Sequence, residues 1–384
     1  MIQIAEPVSS SKIFKSVICF SILTLFFCPD LLQAQTVKKN TLMGSNIDLS
    51  HWMGDIFDSS KGHYTLKDIV IPGSHDAGMS VLTATGGSQK GTINECNTLT
   101  QSLNIEKQMI SGIRMFDLRA GILKDTLYLK HSSSDCMDDA IGGGYGEELE
   151  PALLASKKFL EKNRSEFLIF TFSHFCPKEI AIPKLAEKIV NIIGKDHVYI
   201  AGNKKLGDIK IADLKGKILL AFETAKFDNP GIVFNSMIGA SDEMLNFRRE
   251  YAATNNLKKL ILAESVFFNT LKTQVAANDL IRLDWQLTQS AKEAAMVCNA
   301  FESDQNSPVF DGAVFLANVL SRHKSIITHA RNANKVLKTQ INKWIDDQTI
   351  THQNKPNILY VDDAGSWITQ YCIELNQSAL YNSK

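Results

Sequence analysis

Residues 68–80 read DIVIPGSHDAGMS. The apolar run that opens this stretch has the composition of a buried strand, Pro72 and Gly73 read as the turn that ends it, and His75 and Asp76 follow side by side. A rigid strand that delivers two proton-carrying side chains into a loop is useful only if other strand ends meet it there. Six further runs fit that need: IRMFDLRA (113–120), TLYLKH (126–131), EFLIFTFSH (166–174), KILLAFE (217–223), IRLDWQLT (281–288) and NILYVDDA (357–364). Most are continuously apolar rather than alternating, as expected of strands covered on both faces in a parallel sheet.

Between the strands, LNIEKQMISG (103–112), EPALLASKKFLEKN (150–163) and IAIPKLAEKIVNIIG (180–194) place apolar residues three and four apart, the spacing of amphipathic helices. Long strand–helix alternation predicts an α/β fold. His75, Asp117, Arg119, His131 and Asp362 all fall inside or just beyond the C-terminal ends of different predicted strands. Collecting polar groups in that way predicts a distorted TIM (β/α)8-type barrel in a single domain. An open sheet would bind through one switch point and a glycine-rich phosphate loop. The GGG at 142–144 is no such loop, since no strand leads into it in the required pattern, and it reads as a flexible surface loop.

Lys plus Arg and Asp plus Glu both number 41, so no global field draws the chain to nucleic acid. An apolar fraction of 44% is that of an ordinary globular protein. Lys12 and Lys15 precede SVICFSILTLFFCPDLLQAQ (16–35), which reads as a signal peptide over 1–34 with cleavage after Ala34, leaving 35–384 as the mature domain of a secreted or periplasmic protein. A lipoprotein signal at Cys28 is the alternative, but Phe27 is larger than such sites accept. Cys96, Cys136, Cys176, Cys298 and Cys372 remain; none has metal-site spacing, and they read as buried small hydrophobes with one bridge among them.

The chemistry of the strand-end groups is specific. Two histidines can divide labour, one accepting a proton and one donating it, because both states are populated near neutral pH. Asp76 and Asp362 can orient the imidazoles, while Arg119 shares a strand face with Asp117 and can grip a phosphate with paired hydrogen bonds. Such a set, with no metal cluster or cofactor motif, suits cleavage of a phosphodiester by an internal nucleophile. Each residue also has an ordinary reading: a strand-end histidine as a satisfied loop residue, and D-x-R as an ion pair.

WMGDI…LKDIVIPGSHDAG, GIRMFDLRAG, LYLKH, LDWQLTQ and NILYVDDA, in that order across residues 52–364, resemble the X domain of phosphatidylinositol-specific phospholipase C, in its bacterial, X-domain-only branch. The resemblance implies a distorted TIM barrel that splits a phosphoinositide into diacylglycerol and a cyclic inositol phosphate. It makes His75 the general base toward the inositol 2-hydroxyl and His131 the general acid toward the leaving oxygen. Asp76 would partner His131, and Asp362 would orient His75. Calcium-dependent relatives carry asparagine where Asp76 stands and an acid where Arg119 stands; the chain therefore looks metal-independent, with Arg119 offsetting phosphoryl charge and Asp117 fixing Arg119.

HSSSDCMDDAIGGGYG (131–146) departs from the family's histidine–glycine pair, and His174 in FTFSHF stands where a lysine is common. The substrate is accordingly a phosphoinositide or another inositol-containing phosphodiester, such as a glycosylated inositol lipid or a soluble one. HWM (51–53) and SVFFNTL (265–271) read either as core or as transient membrane-surface contacts. Two rivals stand beside this reading. A metal-dependent glycerophosphodiesterase needs Glu-x-Asp where the chain has FDLR, and a catalytically silent headgroup-binding barrel needs neither an acid nor a base.

Overall fold

A computed structural model describes residues 47–57, 61–86, 93–132, 143–176, 180–202, 204–235, 247–274, 279–289 and 325–382. The predicted signal peptide, Cys136 and Cys298 lie outside them. Eleven strands make one sheet: β1 (Ile71–Ser74), β2 (Ala84–Gly86), β3 (Met115–Leu123), β4 (Thr126–Ser132), β5 (Gly143–Glu148) and β6 (Leu168–Cys176). They are followed by β7 (Ile218–Glu223), β8 (Ile232–Asn235), β9 (Phe247–Arg249), β10 (Leu280–Trp285) and β11 (Ile358–Val361).

Strands β1, β3, β6, β7 and β8 pair successively in parallel, as do β9, β10, β11 and β1, so eight strands follow one another around a circuit in chain order. This is the strand order of a (β/α)8 barrel. Among the described residues no ladder joins β8 to β9, and the circuit is open at that seam. The helices Leu149–Lys162, Ile182–Ile193, Leu257–Leu271 and Ile326–Asp346 lie between successive strands in the chain and bury one face each.

Side chains alternate across the strands, and they sort into two apolar layers. Ile71, Met115, Ile169, Leu219, Leu280 and Ile358 fill the inside of the circuit, whereas Val70, Phe116, Phe170, Leu220, Leu283 and Leu359 face the helices. One end of the inside is closed by the helix Trp52–Ile56. Its Trp52 and Met53 are buried, and its first backbone N–H groups, from Met53 and Gly54, donate to Glu166. Glu166 also accepts from Arg114 at 2.7 and 2.9 Å, and Arg114 spends its other donors on the carbonyls of Leu49, Ser50, Met109 and Ile113.

Three expectations change in three dimensions. Pro72 and Gly73 are not a turn but the middle of β1, opposite Leu359 and Tyr360. Proline is tolerated because the ladder with β3 starts only at Gly73, so its missing N–H breaks no strand pair on that side. A Cβ on Gly73 would lie 2.8 Å from Ile358 Cγ2, which requires glycine for packing. TLYLKH is β4, an antiparallel return of β3 through Lys124 and Asp125, both at positive φ, and not a strand of the circuit.

Gly143 and Gly144 are strand residues of β5, where a Cβ on Gly144 would meet Leu82 at 2.6 Å; close approach, not flexibility, calls for glycine. The aromatic stretches resolve to core, since Trp52 and Phe268 are fully buried and Phe268 packs on Trp344 with ring centroids 5.9 Å apart. Cys96 and Cys176 are disulfide-bonded, and Cys372 is a free buried thiol.

Arg114 and Glu166 are both wholly buried, so removing one charge strands the other. Glu166→Gln is expected to lower unfolding free energy by about 3 kcal/mol or more in urea titrations; a loss within error would show that the pair does not hold the barrel floor.

Candidate active site

Strands β1, β3 and β11 lie side by side, and the C-terminal ends of β1 and β11 with the middle of β3 bring His75, Asp76, Asp117, Arg119 and Asp362 together. His75 follows β1 directly; its Nδ1 lies 2.7 Å from Asp362 Oδ1, and Asp362 follows the last residue of β11. Asp76 reaches inward because its backbone takes φ +42° there, the left-handed region that an aspartate enters at some cost. Its carboxylate is fully buried. One oxygen pairs with Arg119 Nε; the other lies 3.4 Å from His75 Nε2 and 3.7 Å from His131 Nε2.

Arg119 therefore meets both acids on its strand-end shelf, with Asp117 Oδ2 at 3.3 Å, and its Nη2 lies 3.0 Å from His75 Nε2. Asp117 is held in turn by the Tyr360 hydroxyl, which donates to Oδ2 at 2.6 Å, and by the backbone N–H of Asp76 at 3.3 Å. His131 arrives from β4, and its Nδ1 lies 3.0 Å from the Thr98 carbonyl, so Nδ1 carries the proton and Nε2 faces Asp76. The expected pairing of Asp76 with His131 is thus the longest of its contacts; a single carboxylate sits among three cationic or potentially cationic groups.

Several supports left no mark in the sequence. Gln101 Nε2 donates to the His75 carbonyl at 2.7 Å, and its Oε1 accepts from the Ala364 N–H, tying the ends of β1 and β11 together. Thr100 Oγ1 donates to the Asp76 carbonyl. Asp363, beside Asp362, turns outward at φ +51° and accepts from Ser102 and Arg331, while Asn334 donates to the Asp362 carbonyl. The cleft beyond Arg119 is lined by Ser173, His174, Glu223, Arg249, Arg282 and Tyr360.

No family model matches the chain. Over 178 residues, 44% of the chain and 22% of the relative, it is 24% identical to a PI-PLC X-box domain-containing protein of Dictyostelium discoideum. Over 211 residues, 54% of the chain and 59% of the relative, it is 26% identical to the 1-phosphatidylinositol phosphodiesterase of Listeria monocytogenes. The chain thus spans less than two thirds of either relative. Its fold matches a solved mutant of the phosphatidylinositol-specific phospholipase C from Staphylococcus aureus with a TM-score of 0.56 at 17% identity, covering 83% of this chain and 92% of that one. In sequence and in fold, the chain is similar to phosphatidylinositol-specific phospholipases C.

The electrostatics of the cluster separate the two imidazoles. Burial lowers the proton affinity of His75, but the charges of Asp76 and Asp362 outweigh it and raise the pKa above its ordinary value. For His131 burial wins over Asp76, helped by the charge of Arg119, and the pKa falls. Asp117, despite burial, is held below the carboxylate range by Arg119, His75 and the Tyr360 hydroxyl. Geometry adds the tautomer of His75: a guanidinium can only donate, so its contact at Nε2 requires a lone pair there, with the ring proton on Nδ1 toward Asp362.

Ligand-type atoms of His75, Asp76 and Asp117 lie within 4.8 Å of one another, a spacing that suits a cation. The guanidinium of Arg119 already occupies that role, pairing with both carboxylates and touching the imidazole. A divalent ion would have to displace it against its own charge.

Asp362 raises the His75 pKa, so Asp362→Asn is expected to move the His75 ring titration to lower pH in nitrogen NMR. Asp76→Asn is expected to lower both imidazoles, since it removes a raising charge from each. An unmoved His75 in both variants would break the assignment of these charges.

Proposed function

We propose that the chain is a phosphatidylinositol-specific phospholipase C: it cleaves an inositol phospholipid by attack of the headgroup's own 2-hydroxyl on phosphorus, releasing diacylglycerol and a cyclic inositol phosphate. The observation that carries this reading is the convergence of His75, Arg119 and His131 on one buried carboxylate, Asp76. A binding protein gains nothing from two imidazoles tuned in opposite directions.

His75 Nε2 takes the proton of the hydroxyl as its oxygen bonds to phosphorus. Arg119 turns from His75 to the phosphoryl oxygens, whose charge it offsets as the oxygens crowd. His131 Nε2 gives its proton to the diacylglycerol oxygen as that bond breaks. Asp362 holds the base through Nδ1, the Thr98 carbonyl holds the acid through Nδ1, and Asp117 holds Arg119.

The pKa directions serve these roles by strength. A raised pKa makes His75 a stronger acceptor and a lowered one makes His131 a stronger donor, while the fraction of molecules carrying the proton on the right ring falls. With the acid titrating below the base, activity rises with pH up to the His131 pKa, levels, and falls above the His75 pKa.

In this reading the lipid is met at a membrane surface; the signal-like sequence over 1–34 and the disulfide-bonded Cys96 and Cys176 support a place outside the cytoplasm. The metal-independent assignment rests on Arg119 standing among the acids.

Phosphorus NMR of the protein with phosphatidylinositol micelles is expected to show a cyclic inositol phosphate, undiminished in excess EDTA. Loss of turnover restored by calcium would overturn the role given to Arg119. His131→Ala is expected to lose roughly 10²–10⁴ in kcat on the natural lipid and to recover in part on an aryl ester of inositol phosphate, whose leaving group needs little protonation, whereas His75→Ala stays inactive on both. Equal rescue of the two would reverse or abolish the division of labour.

A further inference from the structure

Tyr360 connects the site to a second buried guanidinium. Arg282 and Asp284 are two apart on β10, on the strand face that looks into the barrel, and Asp284 stands opposite Tyr360 in the ladder with β11. Asp284 holds Arg282 in a fork: Oδ1 accepts from Nε at 2.5 Å and Oδ2 from Nη2 at 2.8 Å. Both side chains are buried. Held so, the guanidinium lies against Tyr360, with Cζ 3.9 Å from the ring centroid.

The other sides of the same ring face the reaction. His75 meets it edge-on at 5.3 Å, and its hydroxyl donates at 2.6 Å to Asp117 Oδ2, the oxygen that also lies 3.3 Å from Arg119 Nε. Charge and contact thus run without a gap from Asp284 through Arg282, Tyr360 and Asp117 to Arg119. We propose that Arg282 is a positioning residue for Arg119, acting through Tyr360 and Asp117; its place in catalysis rests on the phospholipase reading above.

The physics favours arginine at this place. A cation on the ring face is attracted by the ring's quadrupole and draws electron density from the phenol, which strengthens the hydroxyl as a donor. The planar fork fixes the guanidinium's tilt and therefore the ring's; a lysine keeps the charge and loses both. Arg282 also lines the cleft, which raises the alternative of direct headgroup contact. Its Nε and Nη2 are committed to Asp284 and one face is covered by Tyr360, so little of it is left for a ligand.

The test compares Tyr360→Phe, Arg282→Met and Arg282→Lys with the parent on phosphatidylinositol micelles. All three are expected to lower kcat on the order of tenfold or more with KM within about twofold, lysine rescuing little. In an Arg119→Lys background, Arg282→Met is expected to change kcat by less than about twofold, because the group it positions is already gone. A KM effect at constant kcat would make Arg282 a headgroup contact and overturn the proposal; so would an undiminished cost in that background. Tyr360→Phe is nearly isosteric and covers the case in which the Arg282 variants fail to fold.

A second measurement does not need turnover. In protein labelled with nitrogen-15 arginine, exchange of the Arg119 Nε–H with solvent is expected to quicken in Tyr360→Phe and Arg282→Met and to hold in the exposed control Arg164→Ala. Unchanged exchange in both variants overturns the proposal. Quickened exchange in the two variants of a parent that does not cleave the lipid would uphold the positioning network and refute the phospholipase reading.

Discussion

A guanidinium taken almost out of water must be surrounded by charge, and the site is organised around how Arg119 satisfies that demand. It draws Asp76 from the end of β1 and Asp117 from its own strand, and the pair raises its proton affinity although burial opposes it. Opposite charges at short range in a poorly solvated place offset the desolvation cost only when geometry is close to ideal. The surrounding structure supplies that geometry: Asp76 is held at a left-handed backbone angle by hydrogen bonds at its own N–H and carbonyl, and Asp117 by three donors, from β6, from β11 and from the turn after β1.

Once Arg119 is fixed, the two imidazoles are distinguished by their surroundings rather than their chemistry. Arg119 repels a proton on either ring, but His75 has two carboxylates near it and His131 has one, at longer range. Burial acts on both rings in the same direction, so the balance of charges decides. The outcome is a strong acceptor next to a strong donor with a single anion between them, a common way for enzymes to run acid and base chemistry at one pH.

The barrel contributes rigidity and depth. Parallel pairing of β11, β1 and β3 sets the spacing of Asp362, His75 and Asp117, and a tyrosine on β11 passes the placement of β10 to β3. The opposite end is sealed by Arg114 and Glu166, which hold the helix Trp52–Ile56 in place as a plug. Asp363 shows how local the division of labour is: its neighbour faces His75, while it turns outward to bind Arg331 and Ser102.

The sequence by itself determined the strand–helix alternation, the barrel class and the presence of His75, Asp76, Asp117, Arg119, His131 and Asp362 at strand ends, because apolar runs and side-chain type are local properties. It misread Pro72–Gly73 as a turn, β4 as a strand of the circuit and the glycines of β5 as a loose loop. In each case a neighbour distant in the chain decided: the late start of β3 beside Pro72, the antiparallel pairing of β4 with β3, and the side chain of Leu82 against Gly144. The short strands β8 and β9 were not among the predicted runs. Tyr360, Gln101, Thr98 and Arg282 carried no signal, since a tyrosine in an apolar strand or a glutamine in a loop is unremarkable until the fold brings a partner within hydrogen-bond range. Only tertiary structure decided that Asp76 serves Arg119 before it serves His131, because that choice depends on how closely atoms from separate strands approach it, and no linear pattern encodes them.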